Sequence, residues 1–179
     1  FGAISIFIYT CLYTPLKTKT PLSVFVGAFP GAIPFMLGWV AATNNFGIEA
    51  GTLFAIQFFW QFPHFWALGW MLHHDYKKAG INMLPTKRKD KATALQIILY
   101  TIWMIMICLL PLSGLTGDLK LSIFSALVIG LIGLSMLYYS INLYNKMSTD
   151  AAKKLFKASV FCLTMVQIVY VIDNIYIWN

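Results

Sequence analysis

The sequence predicts an all-α fold, a polytopic bundle of membrane-spanning helices with five complete spans and one truncated span. Three observations carry that expectation: an apolar composition, apolar runs of bilayer length, and an alternation of charge between the loops. The 179 residues are 59% hydrophobic and 11% charged, with a mean hydropathy of +0.73, whereas a soluble domain carries about 25% charged residues. A helix needs about 20 apolar residues to cross the hydrocarbon, and segments 22–42, 51–72, 93–113, 121–143 and 158–178 meet that length. Segment 1–14 is apolar from its first residue but short. It lacks a basic leader and a small-residue cleavage site, so it is no signal peptide. It is expected to be the tail of a helix that begins upstream, which makes 1–179 one transmembrane domain truncated at its N-terminus.

Orientation follows from the loops. Loops 15–21, 73–91 and 144–157 hold twelve of the thirteen Lys/Arg, and Lys120 is the exception. The positive-inside rule places those loops in the cytoplasm, for a bacterial inner membrane, or on the equivalent side of a mitochondrial inner membrane. The net charge of +7 is therefore a property of loops and does not point to nucleic acid. Cys11, Cys108 and Cys162 lie far apart in apolar stretches, without metal-ligand spacing, and read as small buried hydrophobes.

The second span, "VFVGAFPGAIPFMLGW", is unusual for a plain anchor. Gly27 and Gly31 form a G-x-x-x-G pair that admits a close neighbour, and Pro30 and Pro34 free backbone carbonyls that need partners inside a bundle. Close packing and a kinked cavity wall are the two readings. No second copy of the pattern supports an inverted-repeat transporter.

The third span runs through "FFWQFPHFWALGWMLHHDYKK". On a continuous helix Gln57, His64 and Asp75 fall within about 40° of one another and Gln61 within about 60° of His64. They form a polar stripe, completed by Leu68 and Met71, that leads to Tyr76, Lys77 and Lys78. Polar groups in hydrocarbon face a bundle interior or a wet cavity, and Phe59, Trp60, Trp66 and Trp70 cover the rest of the surface. A hydrogen-bonded buried histidine and a solvated helix-end aspartate are the structural alternatives for His64 and Asp75. One carboxylate among several cations suits an anionic, metal-bridged ligand such as a phosphate ester. Tyr13 and Lys17 add a second polar patch on the same side, four residues apart around Pro15.

Four stretches in order, "YTPLKTKTP", "GAFPGAIPFMLGWVAA", "WQFPHFWALGW" and "DYKKAGINMLP", resemble the protohaem IX farnesyltransferase (haem O synthase) family of the UbiA prenyltransferase superfamily. The resemblance implies a nine-span bundle around a cavity open to the cytoplasm, of which this chain is the end of span four and spans five to nine. It implies transfer of farnesyl from farnesyl diphosphate to a vinyl group of haem B, with Mg²⁺ bridging the diphosphate and haem B as substrate rather than cofactor. Asp75 matches the second acidic motif and would serve the metal. Lys17 and Tyr13 match a Y-x-x-x-K element, Lys17 holding diphosphate. Lys78 and Arg88 are candidates for the same role by charge and side, with Gln57, Gln61 and Tyr76 as further substrate contacts. His64 matches a P-H-F element, with a role in placing haem or a proton. The superfamily's D-x-x-x-D form is not met, because Ala79 stands where the second acid would be. The other acid-rich motif, between spans two and three, is absent from the chain, so the isolated chain is expected to be inactive. The lipid bilayer and a haem A synthase are the expected partners. A prenyltransferase for an aromatic quinone precursor and a transporter segment are the competing readings.

Asp173, near the far face, is expected to be capped or snorkelling. Asp150 with Lys153, Lys154 and Lys157 reads as a solvated loop, and Gly130 and Gly133 as packing positions.

Overall fold

A computed structural model of the chain describes residues 1–176. Among them the regular structure is entirely helical. A first helical stretch comprises α1 (Gly2–Phe7), a π-helical segment Ile8–Tyr13 and α2 (Thr14–Leu16). Then follow α3 (Ser23–Thr43), α4 (Ile48–Met71), the short α5 (His73–Lys78), α6 (Lys91–Leu109) continued by a 3-10 turn Leu110–Ser113, α7 (Ile123–Lys146) and α8 (Thr149–Tyr176).

Four of the long helices are apolar enough to cross a membrane: Ser23–Thr43, Lys91–Ser113, Ile123–Lys146 and Thr149–Ile175. The fifth expected span is α4, whose 24 residues cover about 36 Å at 1.5 Å per residue. It is less apolar because it carries Glu49, Gln57, Gln61 and His64. Its place explains why the bundle tolerates this: α4 packs on α3, α6 and α8 at once, so its polar groups meet protein rather than lipid. Trp70, Phe62 and Ala67 are almost wholly buried there.

The proline pair in α3 behaves as its chemistry requires. Pro34 has no N–H for the carbonyl of Pro30, and that oxygen accepts from the Ser5 hydroxyl at 3.3 Å. The glycines beside it admit side chains rather than a second backbone. A Cβ on Gly27 would lie 2.7 Å from the Tyr13 ring, and one on Gly31 would lie 2.1 Å from Gln61 Oε1. Gly133 likewise receives Ile105, whereas Gly130 faces open space.

Hydrogen bonds tie the loops at both ends. At the basic end the Asn82 amide donates to the Lys17 carbonyl at 2.9 Å, and Lys89 Nζ reaches Thr149 Oγ1 at 3.4 Å. At the far end Glu49 Oε1 accepts from the Asp118 amide at 3.0 Å. Asp173, fully buried, accepts from the Ser122 amide at 2.9 Å and from the Ser122 hydroxyl. The expected capped state of Asp173 is thus the observed one.

Two expectations change. The loop drawn at 144–157 is only Met147–Ser148, because α8 begins at Thr149. Its first turns are amphipathic rather than apolar, so a helix end there carries charge, with Lys153 and Asp150 3.8 Å apart at i,i+3. The last residues of the expected span 158–178 lie outside the described ones. Cys108 and Cys162 are buried as expected, but Cys11 is exposed.

Candidate functional site

An apolar cavity of about 390 Å³ lies between the π-helical segment, α3 and α4. Tyr9 and Tyr13 form one wall, Gly27, Pro30 and Gly31 a second, and Gln61 with Phe65 the third. The glycine pair is thus a wall of the cavity, and what it admits is the Tyr13 and Gln61 side chains. Gln61 is pinned by its amide, which donates to the Ala28 carbonyl at 3.0 Å and the Gln57 carbonyl at 3.3 Å. Gln57 is also buried, and its Oε1 has no protein partner among the described residues.

Met83 closes the cavity and also lines a second, polar cleft of about 210 Å³ with His73, Tyr76, Lys77, Asn82 and Lys87. The chain builds this cleft locally. Helix α4 ends at Leu72, α5 turns away, and Gly80 at φ +70° closes α5. The Ile81 amide bonds the Tyr76 carbonyl at 2.8 Å and the Gly80 amide the Lys77 carbonyl at 3.1 Å, the paired bonds of a Schellman cap. Gly69 admits the returning loop, since a Cβ there would lie 2.9 Å from Met83 Cβ.

The cleft is electropositive, and His73 registers it. Burial first, then the charges of Lys89, Lys77 and His74, hold the His73 imidazole below its ordinary value. Folded His73 binds its proton less readily than the unfolded chain does, so protonation opposes folding. The native neutral form is unpenalised above about pH 6.5, and stability falls as pH drops through that value. Replacing Lys89 by Gln is expected to raise the His73 midpoint, and added pyrophosphate to raise it further. Imidazole NMR titration reads both, and an unmoved midpoint would count against the cleft as a field of cations.

The expected site residues fall into three groups. Tyr13 and Gln61 line the cavity and Tyr76 the cleft, while Lys17 sits with its Nζ 5.2 Å from the Tyr13 ring centre. Asp75, Lys78 and Arg88 are exposed beside the mouth and line neither space; Asp75 lies 3.7 Å from His74 Nδ1. His64 is directed elsewhere. Its Nδ1 lies 2.9 Å from Ser159 Oγ on α8, and its ring stacks between Trp60 at 4.4 Å and Phe156 at 4.7 Å. Ser159 Oγ donates to the Phe156 carbonyl, so it accepts from His64 Nδ1–H and fixes that tautomer.

The single polar stripe is therefore corrected. The helix breaks at Leu72 (φ −96°, ψ 18°), which takes Asp75 off the α4 wheel, and the opening angle between Gln61 and His64 sends them to α3 and α8. Ser159 escaped notice because it lies 95 residues from His64. Lys87, His73 and Asn82 line the cleft but carry no signal that sets them apart from their charged or polar neighbours in the sequence.

Among the described residues no group of three or more His, Cys, Asp or Glu encloses a metal position. Mg²⁺ does not require one: it is commonly held by one or two carboxylates plus substrate phosphates and waters. Asp75, the acid at this mouth, fits the role of one such carboxylate.

The chain matches the UbiA prenyltransferase family over residues 1–164. It is 65% identical to the "Protoheme IX farnesyltransferase" of Christiangramia forsetii over 97% of its own length and 58% of the relative's. Proteins of the same name from Flavobacterium psychrophilum (64%) and Cytophaga hutchinsonii (49%) are matched over 97% of this chain and 58% and 59% of theirs. The chain thus spans under two thirds of the length of these relatives. No solved structure matches it. An apolar cavity that meets a basic cleft at Met83, on a helical bundle with these matches, accords with that family, and the chain belongs to it: the UbiA prenyltransferase family.

Proposed function

We propose that this chain forms part of an intramembrane enzyme that joins farnesyl diphosphate to haem B and yields haem O. The observation that carries the reading is the joint at Met83, where an apolar cavity meets a basic cleft. A prenyl diphosphate has that division, an apolar chain and an anionic head.

In the reaction the bond from farnesyl C1 to the diphosphate oxygen breaks and the electron pair leaves with diphosphate. The terminal carbon of a haem vinyl group bonds to farnesyl C1, water adds to the neighbouring carbon, and a proton is released. Lys77 and Lys87 in the cleft, with Lys17 beside it, offset the charge on the leaving group. Tyr9, Tyr13 and Phe65 face the cavity, and their ring faces favour a developing allylic cation. Asp75 supplies a carboxylate for Mg²⁺, which when bound neutralises the diphosphate. His64, held by Ser159, braces α4 against α8 and acts at a distance from the cavity. The basic end faces the cytoplasm, where soluble diphosphate substrates arrive. A haem A synthase is the partner that would consume the product.

The test uses the product of the full gene with farnesyl diphosphate, Mg²⁺ and haem B, read by mass spectrometry for hydroxyethylfarnesyl haem. Wild type is expected to form it, and Asp75→Ala to lose about tenfold or more in rate. Prenylation of a hydroxybenzoate in place of haem would keep the cation chemistry and overturn the acceptor.

A further inference from the structure

Three of the described residues other than glycine have a positive φ: Asn44, Met147 and Lys87. Asn44 and Met147 stand where α3 and α7 end, a common place for the left-handed conformation. Lys87, at φ +61°, ends no helix. It closes the turn Leu84–Lys87, in which its amide bonds the Leu84 carbonyl at 2.9 Å. Pro85 takes the second position of that turn, where its fixed φ is suited, and glycine is the residue favoured at the fourth. A lysine there is strained by its Cβ, and such strain persists only where the surroundings over-determine it.

Two anchors do so. Before the turn, Leu84 is buried against α4 where Gly69 lacks a side chain: a Cβ there would lie 3.3 Å from Leu84 Cδ2. After it, the Thr86 and Thr93 hydroxyls lie 2.8 Å apart and converge on the Arg88 carbonyl, at 3.3 and 3.0 Å. Thr93 is wholly buried and fixed in the first turn of α6, its amide donating to the Asp90 carboxylate at 2.8 Å. Lys87 is thus bracketed, with the side chain before it and the carbonyl after it tied to one buried hydroxyl. The bracket separates three consecutive cations. Lys87 lines the basic cleft, Arg88 is exposed outside it, and Lys89 turns away to Thr149 Oγ1 at 3.4 Å.

We propose that Thr93, through Thr86 and the Arg88 carbonyl, is a positioning residue that aims Lys87 at the diphosphate head of the substrate. The inference rests on the reading of the cleft as a diphosphate site and adds the residue that makes one cation of three effective. Every part of the arm lies in one continuous stretch, from Gly69 to Thr93. A lysine fixed at its root gives up less freedom on meeting its ligand, which is preorganisation.

The experiment is calorimetric titration of inorganic pyrophosphate into the product of the full gene in detergent, at fixed ionic strength. Lys87→Asn removes the cation and places a side chain that tolerates left-handed backbone. It is expected to weaken binding about tenfold, the loss of one charge-assisted contact, and to raise the melting temperature. Thr93→Val is expected to weaken binding about fivefold by releasing the bracket, and Thr93→Ser, which keeps the hydroxyl, by less than about twofold. In the Lys87→Asn background Thr93→Val is expected to change the affinity no further, because its effect passes through the lysine. Thr86→Val, at a less buried position, carries the same test if Thr93→Val fails to fold. Unaltered affinity in the valine variants, or an equal loss from them with and without Lys87, would overturn the inference and leave the diphosphate reading standing. Lys87→Asn without effect on binding would overturn both.

Discussion

In the product of the full gene, and on the function proposed above, Gly31→Leu is expected to lower prenyl transfer by about a hundredfold or more while leaving a folded bundle. The site of the new side chain is the wall of the apolar cavity, where even a Cβ would stand 2.1 Å from Gln61 Oε1 and 2.9 Å from Gln61 Cδ. Gln61 must swing out of its bond to the Ala28 carbonyl, and leucine then takes volume from a space of about 390 Å³. Overpacking of this kind destabilises by about 1–3 kcal/mol, and occlusion of the cavity removes the substrate's place. Gly31→Ala grades the effect: it adds the clash but little bulk. Pairing it with Gln61→Ala in a double-mutant cycle is expected to recover about 1 kcal/mol, because the second change removes the group that the first collides with. Strict additivity of the two changes would show that Gln61 is not what Gly31 accommodates.

Asp173→Ala is expected to give the largest loss of stability, about 3 kcal/mol. The carboxylate is fully buried and accepts both the amide and the hydroxyl of Ser122, the residue that caps α7. Its removal strands a half-buried backbone donor and loosens the α7 cap together, effects of about 1–3 and about 1 kcal/mol. Asp173→Asn keeps one acceptor and is expected to fall between. Thermal unfolding in detergent measures the loss, and amide exchange at residues 122–126 locates it. A melting temperature unchanged in Asp173→Ala would refute the assignment.

Much of this was legible in the sequence. The long helices announce themselves as apolar runs of bilayer length, and the alternation of lysines orders their ends. The limits of α8 do not, because charge marks the end of the hydrocarbon and not of the helix: Lys153, Lys154 and Lys157 ride on α8 beyond it. The site was legible in its parts. Tyr13, Lys17, Gln61 and the Asp75–Lys78 turn were marked by polarity in an apolar setting. Their assembly was not, for a local reason and a distant one. Pro63, which invites a break, sits inside an unbroken α4, whereas the true break at Leu72 has neither proline nor glycine to mark it. Ser159 and Ser5 are ordinary hydroxyls whose importance comes from partners far away in the chain, at His64 and Pro30.

The two sets of loop bonds are unequal, and this gives the bundle a direction of breathing. The far end is clamped by two buried carboxylates that hold amides at 2.9 and 3.0 Å. The basic end joins its loops by the backbone bond from Asn82 to Lys17 and by longer side-chain contacts of 3.4 and 3.5 Å, while the shorter bonds of its 79–91 loop, at 2.8–3.0 Å, run to the adjoining start of α6. Thermal openings are therefore expected to part the loops at the basic end before the far end, as in a pair of tongs joined at the handle, and amide exchange compared at Asn82 and Ser122 reads the order. The register of the helices is then kept at the far end, whatever the basic end does.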